Sequence, residues 1–229
     1  MRVNLAGKAI VASALTLAFV GALAVSARAD ETVIPSDVLA SLNAGFDELS
    51  VAPEVREGLL EAYAKGKAWD NSSGSEPVTT KNYRVGITEF TRKVYADGSV
   101  SLTSVEVPLQ ATTGRIGKRS APGGCTYGLN AGIATWSNCK VEKNNGVLTM
   151  WYRAGYWRGP GVYGTSITNT WDWDIQAAGV ACSKDYLGNP TSQKSRLRAY
   201  CTLLAGIGSA YPYLDLDVTA TTASVNANW

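Results

Sequence analysis

The segments VLTMWYRAGYW at residues 147–157 and YGTSITNTWDWDI at residues 163–175 decide the fold class. Both are rich in the aromatic and β-branched residues that favour strands. In the second segment apolar and polar residues alternate, so an extended strand has one apolar face and one polar face. The apolar positions are Tyr163, Ile167, Trp171, Trp173 and Ile175, and the polar positions are Ser166, Thr168, Thr170, Asp172 and Asp174. The pattern predicts long, half-buried strands with Trp171 and Trp173 facing a core.

Two further pairs of strands flank these segments. Residues 83–102 alternate around the turn-forming dipeptide Asp97-Gly98, and residues 197–218 contain two apolar runs across a Gly-rich loop. No helical segment interrupts this series of strands. We therefore predict that residues 81–229 form a mainly β domain, either an antiparallel β-sandwich or a barrel-like fold.

Residues 30–70 have helical periodicity instead. Apolar side chains recur every three or four positions in residues 38–46 and again in residues 55–63. Ser36 is placed to cap the first helix, and Gly45 is placed to weaken or end it. We predict a short helical N-terminal arm of two amphipathic helices, and the sequence leaves open whether this arm docks on the β domain.

The first 29 residues have the order of a cleavable secretory signal peptide. A positive end with Arg2 and Lys8 precedes an uncharged run at residues 9–25, and Ala-Arg-Ala at residues 27–29 fits the signal peptidase. A membrane anchor is the alternative, because about 17 apolar residues are just enough to span a bilayer. No basic stop-transfer cluster follows, so we predict a secreted, extracellular protein that is free of the membrane once residues 1–29 are removed.

The mature chain is close to neutral. Its formal charge falls from +2 to −1, because Arg2, Lys8 and Arg28 leave with the leader and no acidic residue does. A near-neutral chain has no electrostatic attraction to nucleic acid, so we predict no such partner. The chain contains no histidine, which removes the usual general base and the commonest zinc ligand. We predict no metal, no cofactor and no catalytic triad.

Four cysteines lie in the mature part, at Cys125, Cys139, Cys182 and Cys201. An even number of cysteines outside the cell predicts disulfides, and four cysteines allow three pairings. We expect the local pairing, Cys125–Cys139 and Cys182–Cys201. A zinc site is excluded by spacing because no Cys-x-x-Cys pair is present.

Tryptophans supply the candidate binding residues. Trp157 precedes a Gly-Pro-Gly turn at residues 159–161, and Trp151 alternates with residues that point to the other side of its strand. Aromatic rings bind the apolar faces of sugars, so Trp151 and Trp157 are predicted to contact a ligand. We predict a non-enzymatic binding or surface-interaction domain whose partner is a cell-wall or extracellular glycan.

An extracellular hydrolase that acts on polysaccharide is one alternative. Two aspartates that are two residues apart on a strand share a face, about 6.6 Å apart, and paired carboxylates at such distances hydrolyse glycosidic bonds. The candidate pairs are Asp172 with Asp174 and Asp215 with Asp217.

A structural or inhibitory protein with a removable arm is the other alternative. Small polar residues at 71–80 are typical of a linker between the arm and the β domain. Lys118-Arg119 is a dibasic pair of the kind that proteases cleave in exposed loops. Cleavage at either place would detach the helical arm.

Three short segments resemble small exported proteins of high-GC Gram-positive bacteria. They are Trp69-Asp70, YADGSVS at residues 95–101, and Trp171-Asp172-Trp173. The resemblance spans residues 35–229. It implies export and a shared architecture, and it transfers no functional residue.

Overall fold

The computed structural model describes residues 33–108, 124–161, 164–202 and 209–229. Within these ranges two helices, α1 (Ser36–Glu48) and α2 (Pro53–Ala64), and a short 3-10 helix (Asp70–Ser72) precede a series of strands. Neither α1 nor α2 has the length and apolar character that crossing a membrane requires. The predicted signal peptide at residues 1–29 and the Lys118-Arg119 pair lie outside the described residues.

The strands form two antiparallel sheets. In chain order they are β1 (Thr79–Val85), β2 (Thr88–Val94), β3 (Val100–Glu106), β4 (Thr126–Asn130), β5 (Ile133–Asn144), β6 (Leu148–Arg158), β7 (Thr165–Ala177), β8 (Ala181–Thr191), β9 (Lys194–Thr202), β10 (Ser209–Ala210), β11 (Tyr213–Val218) and β12 (Ala223–Ala227). The first sheet has the order β1-β2-β3-β5-β6-β7, with β4 paired to β5. The second has the order β10-β9-β11-β12, with β8 paired to β9.

The two sheets pack face to face around one hydrophobic core. Tyr152 of the first sheet and Leu197 and Leu214 of the second are fully buried members of this core. The Tyr152 hydroxyl hydrogen-bonds across the core to the Ser195 hydroxyl at 2.9 Å, so its polar end has a partner. The mainly β prediction is confirmed, and the sandwich is the alternative that forms, because the described strands close no barrel.

The helical arm packs against the first sheet. Leu42 and Phe46 of α1 are completely buried in a second cluster that includes Val100 of β3 and Ala178 after β7. The Tyr63 hydroxyl of α2 donates to the Ala178 carbonyl at 3.0 Å. The arm therefore docks on the β domain and buries its apolar stripe there.

Close approach to the sheet explains why α1 continues through Gly45. A Cβ atom at this position would lie 2.8 Å from the Gly146 carbonyl oxygen, in the turn between β5 and β6. The absent side chain lets the helix reach the turn, and the expectation that α1 ends at Gly45 is wrong, because the helix continues to Glu48. The expected cap is wrong too, since Ser36 is already helical and Pro35 occupies the cap position without a side-chain hydrogen bond.

The segment expected to be a linker, residues 71–80, begins with a buried anchor. Asn71 is only 4% exposed. Its side-chain amide donates to the carbonyls of Val100 and Asn145, both at 2.8 Å. This one amide connects the end of the arm to β3 and to the turn between β5 and β6.

Replacing Asn71 with alanine is expected to lower the free energy of unfolding by about 1–3 kcal/mol, because two buried carbonyls lose their donor. Urea denaturation followed by circular dichroism measures this loss. Asn82→Ala is the matched control, because Asn82 is exposed on β1 and its loss should change stability by less than about 0.5 kcal/mol. Equal effects of the two substitutions would contradict the role given to Asn71.

Two disulfides fasten neighbouring strands. Cys125, just before β4, bonds to Cys139 of β5, and Cys182 of β8 bonds to Cys201 directly opposite on β9. This is the local pairing expected from the sequence, and it leaves no free cysteine. Structural disulfides of this kind are typical of oxidising compartments.

Candidate functional site

Trp151 and Trp157 lie on the outer face of the first sheet, which is the face turned away from the second sheet. Along β6, Tyr152 and Tyr156 point into the core and are buried. The two tryptophans have the opposite phase, and both are half-buried. Trp151 lies directly opposite Glu142 of β5, so polar groups adjoin the indole ring.

The other two tryptophans of this region do not share a face. Asp172 has a φ of 47°, and the pairing of β6 with β7 shifts between Tyr152 and Arg153. This bulge places Trp171 opposite Arg153 on the outer face and Trp173 opposite Tyr152 on the inner face. Trp173 nevertheless remains 39% exposed. The prediction that both rings face the core is therefore wrong, because one extra residue in β7 breaks the alternation.

Charged side chains surround the outer-face tryptophans. The Lys140 Nζ atom lies 5.0 Å from the centre of the Trp151 ring, and it forms an ion pair with Glu142. The Arg153 Nε atom is 3.2 Å from a carboxylate oxygen of Asp172. Hydrogen-bond donors and acceptors thus adjoin the aromatic rings. We call this surface the tryptophan face, and it consists of Trp151, Trp157, Trp171, Lys140, Glu142 and Arg153.

A cavity of about 230 Å³ lies on the same face; Trp151 does not line it, but Lys140 and Glu142, which adjoin Trp151, do. Its lining includes Lys140 and Glu142 of β5, Phe90 of β2, Glu106 of β3 and Glu48 at the end of α1. Carboxylates, an ammonium group and an aromatic ring therefore meet in one concave surface. Such a mixture suits a polyhydroxylated ligand that has both apolar faces and hydroxyl groups.

Three of the four aspartates considered for hydrolysis form ion pairs, and the fourth, Asp174, accepts hydrogen bonds from the Ile175 backbone N–H at 2.9 Å and from the Gln176 side-chain amide at 2.7 Å. Asp215 is 1% exposed, and Arg196 donates to it from Nε and Nη2, both at 2.7 Å. Lys194 lies between Asp215 and Asp217, at 3.3 and 3.1 Å, and its hydrogen bond to Asp217 raises the pKa of the ammonium group. Asp172 is bound by Arg153 in the bulge. None of these carboxylates lines the cavity of about 230 Å³. None lines the second cavity, of about 320 Å³, on the other face of the sheet either.

A second, polar cavity of about 320 Å³ lies between the inner face of the first sheet and β12. We call it the lysine cavity, after Lys93 of β2 and Lys143 of β5, which both line it. Thr103 of β3 pairs with Lys143, so the two lysines lie on strands that flank β3. Trp229 at the end of the chain also lines the cavity.

Lys143 is an unusual residue for the inside of a sandwich. Its side chain points to the core side of β5, and the residue is 7% exposed. In the described part of the chain it has no ion pair and no hydrogen bond from its ammonium group, which lies 4.7 Å from the Trp229 ring centre. Burial first, and the charge of Lys93 second, lower the pKa of Lys143 to about 8.

Sequence reasoning did not find the lysine cavity, although β5 carries a signal. Cys139, Val141 and Lys143 occupy the same phase of the strand, so a lysine stands where the alternation requires an apolar residue. A charged residue in a core phase indicates either an ion pair or a functional group. The other lining residues come from distant segments and have no common motif.

The chain was also compared with known proteins. No protein-family model matches it, and no curated protein matches it. A hypothetical protein from Listeria monocytogenes EGD-e, known from a crystal structure, is similar at 19% sequence identity and a TM-score of 0.36; the match covers 62% of this chain and 94% of that chain. The fold defines the class of protein, a mainly β, two-sheet protein with two disulfides.

Proposed function

We propose that this protein is secreted and that it binds an extracellular glycan without acting on it chemically. Trp151 and Trp157 of the tryptophan face are the proposed contacts. The observation that carries the proposal is their common position on the outer face of β6, with a polar cavity next to Trp151. A cell-wall or other extracellular glycan is the proposed ligand class.

The length of the tryptophan face favours an oligosaccharide over a single sugar. Trp151 and Trp157 are six residues apart on one strand, which corresponds to about 20 Å at 3.3 Å per residue. A chain of several sugars is needed to contact both rings. Trp171 lies on the same face and next to Arg153, so a third indole adjoins this path.

Lys140 covers part of the Trp151 ring on which a sugar would stack. Its ammonium group lies over the ring, and an exposed contact of this kind contributes about 0.5–1 kcal/mol. A ligand that stacks on the indole and accepts a hydrogen bond from Lys140 can replace that contact. Lys140 therefore serves as a movable donor at the edge of the proposed site.

Secretion is part of the proposal. The order of charges and apolar residues at 1–29 supports it, and so do the two disulfides, which form and persist in oxidising compartments. Mass spectrometry of the protein from culture medium tests it directly. A mature chain that begins at Asp30 is the expected result, and a chain that begins at Met1 inside the cell would contradict secretion.

Substituting the tryptophans tests the glycan-binding proposal. Trp151→Ala and Trp157→Ala are each expected to weaken binding to insoluble peptidoglycan or chitin about tenfold, because each removes a stacking surface worth about 1.4 kcal/mol. Depletion of the protein from solution onto the solid glycan gives the affinity, and intrinsic fluorescence with soluble fragments gives an independent value.

Trp173→Ala is the matched control for these variants. Trp173 is the more exposed ring, at 39%, but it lies outside the tryptophan face, so its loss should leave the affinity unchanged. Equal weakening by all three substitutions would indicate a general loss of structure. Absence of binding by the wild-type protein to every glycan at millimolar ligand would contradict the proposal itself.

A further inference from the structure

We propose that the lysine cavity binds a small anion that also carries hydroxyl groups, of the size of one sugar acid or sugar phosphate. This site is separate from the tryptophan face, since it lies on the inner face of the first sheet and shares no lining residue with the cavity next to Trp151. The inference does not depend on the proposed glycan-binding function.

Two lysines line the cavity without acidic partners in the described part of the chain. In the described ranges neither Lys93 nor Lys143 forms an ion pair. A buried charge is normally paired, because removal from water is costly and an opposite charge offsets that cost. Here two positive charges line one cavity and repel each other, so an anionic ligand is the partner that the arrangement lacks.

The same cavity contains a hydrogen-bond donor without an acceptor in the described part of the chain. The Trp229 indole Nε1 is buried and has no hydrogen-bond partner among the described residues. Buried indole N–H groups usually have an acceptor. A ligand oxygen can accept from Trp229 while its charge is held by Lys143, whose ammonium group is 4.7 Å from the same ring.

Neutral hydroxyl groups complete the lining and indicate the rest of the ligand. Tyr95, Ser101, Thr91 and Thr103 all line the cavity, and hydroxyls both donate to and accept from a polyhydroxylated molecule. A volume of about 320 Å³ lies at the lower end of the range for small-molecule sites. One sugar-sized anion fits this space, and a polymer does not.

Asp70 is the acidic residue of the lining, and its carboxylate already has donors. It accepts hydrogen bonds from the Asp97 backbone N–H at 3.2 Å and from the Ser75 hydroxyl at 3.3 Å. It forms no ion pair with either lysine, since no such contact lies within 4.0 Å in the described residues. One carboxylate beside two ammonium groups leaves the side chains of the lining with a net positive charge.

Binding should depend on pH. The titratable side chains that line the cavity are Lys93, Lys143, Asp70 and Tyr95. Because the pKa of Lys143 is about 8, raising the pH from 7 to 9.5 removes its proton and with it one of the two charges that attract the ligand. We expect the affinity for an anion to fall over this interval.

Isothermal titration calorimetry of the full chain tests the proposal. The probes are glucuronate, glucose 1-phosphate, inorganic phosphate and, as the neutral comparison, glucose. We expect at least one of the two sugar anions to bind at least tenfold more tightly than glucose. Binding of glucuronate alone identifies a carboxylate site, binding of glucose 1-phosphate alone identifies a phosphate site, and either result supports the proposal.

Variants locate the binding. Lys143→Met should weaken anion binding at least tenfold, and Lys93→Met should weaken it by a smaller factor. Lys67→Met is the charge-matched control, because Lys67 is exposed beyond α2 and outside the lysine cavity, so it should bind as the wild type does. Lys93→Met and the NMR shift of the Trp229 indole proton in the wild type are two measurements that do not depend on the Lys143→Met variant.

Four results would overturn the proposal. One is that no anion binds at concentrations up to about 10 mM. Another is that glucose binds as tightly as its acid and its phosphate. The third is that Lys143→Met and Lys93→Met both bind like the wild type. The fourth is that the Trp229 indole proton does not shift when the anion is added.

Discussion

Replacing Arg196 with methionine is expected to lower the free energy of unfolding by about 3 kcal/mol. Arg196 donates two hydrogen bonds to Asp215, whose side chain is 1% exposed. Removing one partner of a buried ion pair leaves the other charge away from water, which costs about 3–5 kcal/mol. The loss should lie at the lower end of this range because Lys194 remains 3.3 Å from the carboxylate.

Arg198 offers a matched control on the same strand. It forms an ion pair with Asp185, and it lies over the ring of Tyr186 as Arg196 lies over that of Tyr213. Its pair is more exposed, so Arg198→Met should cost less than about 1 kcal/mol. Urea denaturation of both variants measures the difference, and equal losses would contradict the importance given to burial.

A double substitution separates the ion pair from simple loss of contacts. Arg196→Met combined with Asp215→Leu removes both charges and keeps similar volumes. We expect this variant to regain most of the stability lost in Arg196→Met, because no charge is left buried without a partner. A double variant that is less stable than the single one would show that side-chain packing, and not charge, dominates at this position.

The fold class could be predicted because the signals for it are local. Alternation along β6 and the spacing of cysteines both act over a few residues, and chain proximity brings Cys182 and Cys201 onto adjacent strands. The helical periodicity of α1 and α2 is equally local, and Pro53 begins α2 where a proline is tolerated.

Features that depend on tertiary contacts could not be predicted in the same way. The bulge at Asp172 has no glycine to mark its positive φ, so simple alternation assigned Trp171 and Trp173 to one face. Gly45 belongs to the same group, because its role depends on Gly146, about 100 positions later in the chain. In both cases a partner on another element overrides a sound local rule.

One candidate site could be predicted from local sequence signals, and the other depends on tertiary contacts. The predicted residues Trp151 and Trp157 lie on one face because they share a strand and a phase. The lysine cavity instead combines β2, β5 and the end of the chain, and chain order does not indicate that Lys143 meets Trp229. A lysine in the core phase of β5 was the available clue, and its meaning depends on which segments cover it.

Lys143→Met is expected to raise the free energy of unfolding at pH 7 by about 3 kcal/mol. The lysine charge is buried without an acidic partner in the described residues, and methionine fills a similar volume without a charge. The pKa of Lys143 falls from 10.5 to about 8 on folding. A difference of two to three pH units corresponds to about 3 kcal/mol of cost to the folded state.

The contribution of Lys143 makes the free energy of unfolding rise with pH. Below pH 8 the folded and unfolded chains both keep the Lys143 proton, so the folded state bears the whole cost. Between about pH 8 and 10.5 the folded chain has lost this proton and the unfolded chain still holds it. Stability therefore rises with pH over this interval, because the unfolded state binds more protons.

Comparing the two proteins isolates this contribution. Burial raises the pKa of Tyr156 to about 12, which lowers stability above pH 10 in the wild type and the variant alike. The difference between their free energies of unfolding should be largest at pH 7 and should shrink towards zero near pH 10.5. Urea denaturation at a series of pH values measures this difference. A variant that is less stable than the wild type at pH 7, with a constant difference at higher pH, would mean that Lys143 has a structural partner and needs no anionic ligand to offset its charge.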